Sequence, residues 1–220
     1  MPIEKGKVEL ATGAIASVGR GLWHAAGEKL QEASAGIRQM EDAKDRIQYE
    51  NGWTRFVDSL EEFWTRFIDE GKNTFSAFQP WAGVIDAKRK SDPLLEYLYQ
   101  ARHQSQHGRI ALKWSDGNIA IGGGEFSGNV RDLKIFADGT FQADVSPAPG
   151  SVARFRTIHD PGKASLPLIE NKRYKEIFSP PSTHLDQTLT DISPLAISRR
   201  GLEFYENALR KAIEHFGKAP

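Results

Sequence analysis

The chain contains no cysteine. That excludes a disulfide framework, thiol catalysis and cysteine zinc sites. It also lacks net charge: 29 acidic and 29 basic residues cancel. No bulk field therefore draws it to nucleic acid or anionic lipid, and any such contact needs a local patch. No apolar run approaches the ~18 residues of a membrane span. Residues 10–18 are small and apolar, but charges flank them and the stretch is too short for the core of a secretory leader. A cytoplasmic protein with no membrane association is expected.

What is present over the 220 residues is mixed α and β character, enough for one large domain or two small ones. Residues 1–26 are rich in glycine and alanine and predict a loose arm or a short helix. From Glu28 a helical pattern begins, with Ile37, Met40, Lys44 and Ile47 on one face. The strongest helix follows: Trp53, Phe56, Val57, Leu60, Phe63, Trp64, Phe67 and Ile68 recur at a 3.6-residue period. Asn51 suits its N-cap and Gly71 its stop. On its polar side Asp58, Glu61, Glu62 and Asp69 suit a solvated face, while Trp53, Trp64 and Trp81 fall on apolar stripes expected in the core. Phe75, Phe78, Ala82 and Ile85 predict a shorter helix, which Pro80 breaks or restarts. A fourth opens with Ser91 or Asp92 as cap and Pro93 at its first position, buries Leu94, Leu95, Leu98 and Tyr99, and stops at Gly108.

Beyond Gly108 the pattern alternates. Residues 109–114 and 118–121 flank Asp116-Gly117, and residues 133–136 and 140–145 flank Asp138-Gly139; both are hairpin signals. Residues 152–158 add a fifth run. Residues 160–194, rich in Pro, Ser and Thr, read as a long connection. A final helix from Pro194 carries Leu202, Tyr205, Leu209, Ala212, Ile213 and Phe216 on one side. The expected fold is α+β: an N-terminal helical bundle over 1–107, an antiparallel β-sheet of four to five strands over 108–160, a loop over 161–194, and a C-terminal helix over 195–220 packing back on the bundle.

Chemistry concentrates at the end of the fourth helix. Arg102 continues the stripe of Leu95 and Leu98, Tyr99 and His103 are i and i+4, and His107 follows just over a turn later. An arginine fork binds two phosphate oxygens, and a histidine titrating near neutrality moves protons on a ribose hydroxyl or a leaving oxygen. The same residues also fit ordinary helix grammar, because cations in a last turn complement the helix dipole. Weaker groupings are Gly122-Gly123-Gly124, which suits a bend in a strand, and His159-Asp160 and His184-Leu185-Asp186, which lack metal-ligand spacing. Ser182, His184 and Asp186 make a triad in composition only.

Arg102, a polar follower in His103, and His107 on a helical bundle resemble the R-x4–6-H motif of HEPN-domain ribonucleases. The resemblance covers at most residues 28–107 and perhaps the last helix; the strands have no counterpart in the minimal domain. It implies metal-independent RNA cleavage, with Arg102 binding phosphate, His107 as acid/base and His103 in support. It also implies a homodimer, whose second copy supplies a second histidine, and no cofactor. The alternative is a non-catalytic α+β module that binds a protein partner through its exposed sheet face or long loop, or a small molecule in the helix–sheet crevice.

Overall fold

A computed structural model describes residues 22–105, 112–115, 118–122, 128–135, 141–147, 156–160, 162–171 and 175–217. The apolar periodicity builds helices α1 (His24–Glu41), α2 (Arg46–Thr74), α3 (Phe78–Ser91), α4 (Pro93–Ser105) and, much later, α5 (Pro194–Phe216). The residues of the α2 stripe are buried from Trp53 to Phe67, and α5 returns to pack on α1, α2 and α4. Its expected face is inside: Leu202, Tyr205, Leu209, Ala212 and Phe216 are buried, and its Ser193 side chain caps the Ala196 N–H ahead of Pro194.

Several boundaries differ from the expectation, each for a local reason. Helix α1 starts at His24 rather than Glu28, behind Trp23, whose indole N–H donates to the Phe67 carbonyl at 3.2 Å. It ends at Glu41 because Asp45 caps the next helix, its carboxylate accepting the Gln48 N–H at 2.7 Å. So α2 begins before Asn51, and Ile47 belongs to it and is exposed. Gly71 does not stop α2. It is buried one turn before the end, where an added Cβ would run into the Phe78 ring. Pro80 does not break α3 either, since it lies in the first turn, where the N–H has no intrahelical partner to lose. Glu61 is not on a solvated face but is half-buried, as described below, whereas Glu62 and Asp69 are exposed and pair with Lys29 and Lys72.

Helices α1 and α2 cross where Gly36 meets Gly52. A Cβ at either would approach the other's carbonyl oxygen to 2.7 Å, and one at Gly36 would also meet the Phe56 nitrogen at 2.8 Å. Backbone atoms cannot rotate away as a side chain does. Gly36→Ala is therefore expected to cost about 1–3 kcal/mol through overpacking, despite its better helix propensity. Gly27→Ala, on the same helix with nothing within 4 Å of its Cβ, is expected to be neutral or to stabilise by up to about 1 kcal/mol. Urea melts of the two variants check the opposite signs.

The strands do not form the expected four- to five-stranded sheet. Among the described residues all pairing is in two-stranded antiparallel ladders. Strand β1 (Lys113–Trp114) pairs with β6 (Ala164–Ser165), β2 (Asn118–Gly122) with β5 (Arg156–Asp160), and β3 (Gly128–Ile135) with β4 (Phe141–Pro147). The runs flanking Asp116-Gly117 thus pair with the returning chain and not with each other. Partner numbers in the first two ladders share one register, Lys113 opposite Ser165 and Gly122 opposite Arg156, so these two run on as one ribbon; the β3–β4 ladder, nested between their strands in sequence, is two to three positions out of that register. Alternation reveals a strand but not its partner, so the same runs fit a sheet or paired ladders equally well. The hairpin expected around Asp138-Gly139 is present, with Ile135 opposite Phe141; Asp116, Gly117, Asp138 and Gly139 themselves lie outside the described residues. The ribbon is rooted on α2, where the Trp114 indole donates to Glu50 Oε1 at 2.8 Å and the Arg46 guanidinium lies over its ring. Residues 160–194 are not a plain connection: they also hold β7 (Ile169–Asn171) paired with β8 (Glu176–Phe178), and β9 (Thr183–His184) paired with β10 (Gln187–Thr188).

Candidate functional site

Where α3 ends and α4 begins, Asp92 caps α4 as the sequence predicts. Its Oδ1 accepts the Leu94 and Leu95 N–H groups, both at 3.0 Å. The same carboxylate does more. Oδ1 lies 2.9 Å from His184 Nδ1, and Oδ2 accepts the Leu185 N–H at 2.6 Å. Burial pushes the Asp92 carboxyl up, but the bonds from His184, Leu185 and Leu95 outweigh it and hold it below the ordinary carboxylate range. An ionised Asp92 fixes the proton on His184 Nδ1 and leaves Nε2 as the nitrogen free to exchange a proton.

His184 reaches this position through a tight turn. Leu185 and Asp186 both take left-handed φ values, 47° and 63°, as the two-residue loop joining β9 to β10 with His184 opposite Gln187. Such a loop normally calls for Asn-Gly. A leucine there is strained, and strain of this kind persists only when the surroundings impose it. Asp92 imposes it by gripping both the Leu185 N–H and the adjacent imidazole. Ser182, His184 and Asp186 are a triad in composition only, as the sequence suggests: Ser182 and Asp186 are exposed, and the carboxylate against the imidazole is Asp92.

The hairpin closes one side of a groove of about 490 Å3 between α3 and α5. The two helices are bridged at Trp81–Phe216, with ring centroids 5.6 Å apart, and at Arg89–Tyr205, where guanidinium Nε donates to the phenol oxygen at 2.8 Å. These two contacts make the helices antiparallel. Lys88, Arg200 and Lys211 line the groove against a single carboxylate, Glu203, an excess of two positive charges in a chain that has none overall. His184 and Arg200 also line an adjoining cavity of about 140 Å3, so the imidazole and the guanidinium stand between the two spaces.

Arg89 holds this framework from behind. It is 7 % exposed, donates from Nη2 to Glu61 Oε2 at 2.6 Å, and lies 4.3 Å from the centre of the Trp64 ring. Burial, with a smaller push from the Glu61 and Asp86 carboxylates, holds the Tyr205 hydroxyl up at about 12 although Arg89 acts in the other direction, so the phenol stays neutral as an acceptor. Trp53 and Trp64 are buried as expected, but Trp81 is only half-buried and forms part of the groove wall.

The residues singled out by the sequence lie elsewhere. Arg102 and His103 are half-buried in the last turn of α4, with the His103 ring edge-on to Tyr99 at 4.4 Å. His107 lies outside the described residues. Ten helical residues separate Asp92 from Arg102, about 15 Å along the axis, so the two ends of α4 belong to different sites. His159 and Asp160 are on β5, and Gly122 ends β2, with Gly123 and Gly124 outside the described residues. Among the described residues no group of three His, Cys, Asp or Glu is placed to hold a metal, and no helix is long and apolar enough to cross a membrane. Comparison with family models, with curated proteins and with solved structures finds no match to this chain.

Proposed function

We propose that the groove is the working site and that the chain carries out acid–base chemistry on a phosphate ester without a metal. His184 moves the proton, Asp92 orients it, and Lys88 and Arg200 hold the anion. The observation that carries this reading is the 2.9 Å contact between a buried carboxylate and an imidazole lining a cationic groove. Carboxylate-oriented histidine is the arrangement in which an imidazole serves as a general base, and positioned proton transfer of this kind contributes 10²–10⁴-fold.

RNA is one phosphodiester such a site would take, and RNA cleavage is also what the HEPN resemblance implies, through Arg102 and His107. The two versions are separable. Purified protein in EDTA is incubated with mixed RNA and with bis(p-nitrophenyl) phosphate, beside His184→Gln, Arg102→Ala and His107→Ala. Turnover by the wild type that falls at least ~100-fold in His184→Gln and persists in the other two supports the groove. Loss in Arg102→Ala and His107→Ala with His184→Gln active moves the chemistry to the end of α4, where the resemblance also calls for a dimer detectable by light scattering. A wild type inert on both substrates overturns catalysis at either place.

A further inference from the structure

The groove has two chemically different ends. Toward the Arg89–Tyr205 bridge it presents His184, Arg200 and Lys88. Toward the Trp81–Phe216 bridge it presents Trp81, whose ring is held rather than free: Phe78 lies 5.6 Å away, Phe216 meets it edge-on, and His215 lies parallel to it at 6.4 Å. Phe204, edge-on to Tyr205 at 5.3 Å and to His184 at 6.3 Å, belongs to the cationic end. Trp81 and Lys88 are seven residues apart on one helix face, about 10 Å. Asn207, on the groove between Phe204 and Lys211, accepts a hydrogen bond from Arg210 at its Oδ1, which leaves its NH2 as the available donor.

An anion needs only the cationic end. A half-exposed tryptophan, immobilised by neighbouring rings and placed two turns from the cations, adds recognition of a planar group, because rigid aromatic faces bind rings at little cost in conformational entropy. A volume of about 490 Å3 falls in the range of small-molecule sites. It suits one ring with one phosphate better than a length of strand.

Resting on the anion-binding reading above, we propose that the groove accepts a single nucleotide unit. Its base lies against Trp81, with the Asn207 amide on the same wall, and its phosphate lies at Lys88 and Arg200 beside His184.

The test is a calorimetric binding series on the full chain with 5′-AMP, adenosine, ribose 5-phosphate and inorganic phosphate. AMP is expected to bind at least ~10-fold more tightly than ribose 5-phosphate, since stacking on an aromatic side chain is worth about that much or more. Trp81→Leu is expected to reduce AMP to the level of ribose 5-phosphate and leave ribose 5-phosphate itself unchanged, with Trp81→Phe recovering part of the loss. The wild-type series stands even if Trp81→Leu fails to fold. Equal binding of AMP and ribose 5-phosphate overturns the nucleotide inference and leaves the anion reading intact. Equal binding of AMP and adenosine overturns the placement of the phosphate at Lys88 and Arg200, and with it the anion reading. No binding by any of the four overturns both.

Discussion

Replacing Arg89 by alanine is expected to cost about 3–5 kcal/mol of folding stability, the usual penalty for removing one partner of a buried, hydrogen-bonded ion pair. The guanidinium joins three helices: Glu61 on α2, its own α3, and Tyr205 on α5. Its loss leaves the Glu61 carboxylate, itself only 19 % exposed, facing an apolar cavity next to Trp64, and removes the single donor shown for the Tyr205 oxygen among the described residues. Lysine is not a conservative exchange here. It carries the charge but has neither the fork that reaches two partners nor the plane that stacks on Trp64. Arg89→Lys is therefore expected to retain less than half of what Arg89→Ala loses. A double-mutant cycle with Glu61→Gln separates the pair energy from the packing. Urea denaturation followed by tryptophan fluorescence reads all four species. An alanine variant within 1 kcal/mol of wild type would show that the network is decoration.

The second large effect is expected at Asp92. Alanine there strands the N–H groups of Leu94, Leu95 and Leu185 and the Nδ1–H of His184, several of them buried. At about 1–3 kcal/mol for a buried donor left unmade, the loss is expected to reach about 3 kcal/mol even after water satisfies some of them. Asparagine caps a helix as well as aspartate does and is expected to keep roughly half. It lacks the charge, however, and that difference is visible in pH. The folded carboxyl titrates below its unfolded value, so ionised Asp92 stabilises the fold. That stabilisation is complete above the unfolded pKa of about 3.9 and is lost as pH falls through the folded one. The gap in urea midpoint between wild type and Asp92→Asn should be open at pH 5 and close toward pH 3. A gap that widens in acid would reverse the assignment. Catalysis supplies an independent readout: under the proposed function Asp92→Asn loses turnover with the imidazole still present, because the histidine is no longer held in one tautomer.

Much of the helical part was legible from residues alone. The Trp53–Phe67 stripe, the Asp92-Pro93 start and the Ser193-Pro194 start all depend on neighbours within one or two turns, and local grammar reads such neighbours well. What it missed acts at long range. The cap at Asp92 was visible, but its bond to His184 spans 92 residues, and no spacing rule reaches that far. Glu61 read as solvent-facing because its partner Arg89 lies 28 residues on. The groove's own stripe was present as Arg200, Phe204, Asn207 and Lys211 on one side of α5. In sequence a stripe of that composition cannot be told from a solvated face; only α3 and the β9–β10 hairpin make it a wall. The Arg102, His103 and His107 motif is dense in residue types over six positions and so stands out in sequence, whereas the Asp92–His184 pair assembles from two segments that each look ordinary.

The nested ladders also set an order of events for the chain as it folds. Opening contact between Lys113 and Ser165 would enclose about fifty residues of unpaired chain, whereas Ile135 and Phe141 are six apart. Loop closure is cheapest where the loop is shortest, and each pair made from that end shortens the gap to the next. Pairing is therefore expected to begin at the far end, with the Trp114–Glu50 bond forming after it. Docking of α5 on the bundle closes a longer loop still, because Pro194 follows the strands in sequence. The helices α1 to α4, whose contacts are local, are expected to form in a fast phase, and the groove, His184 and α5 in a slower one, the rate of which the ribbon controls.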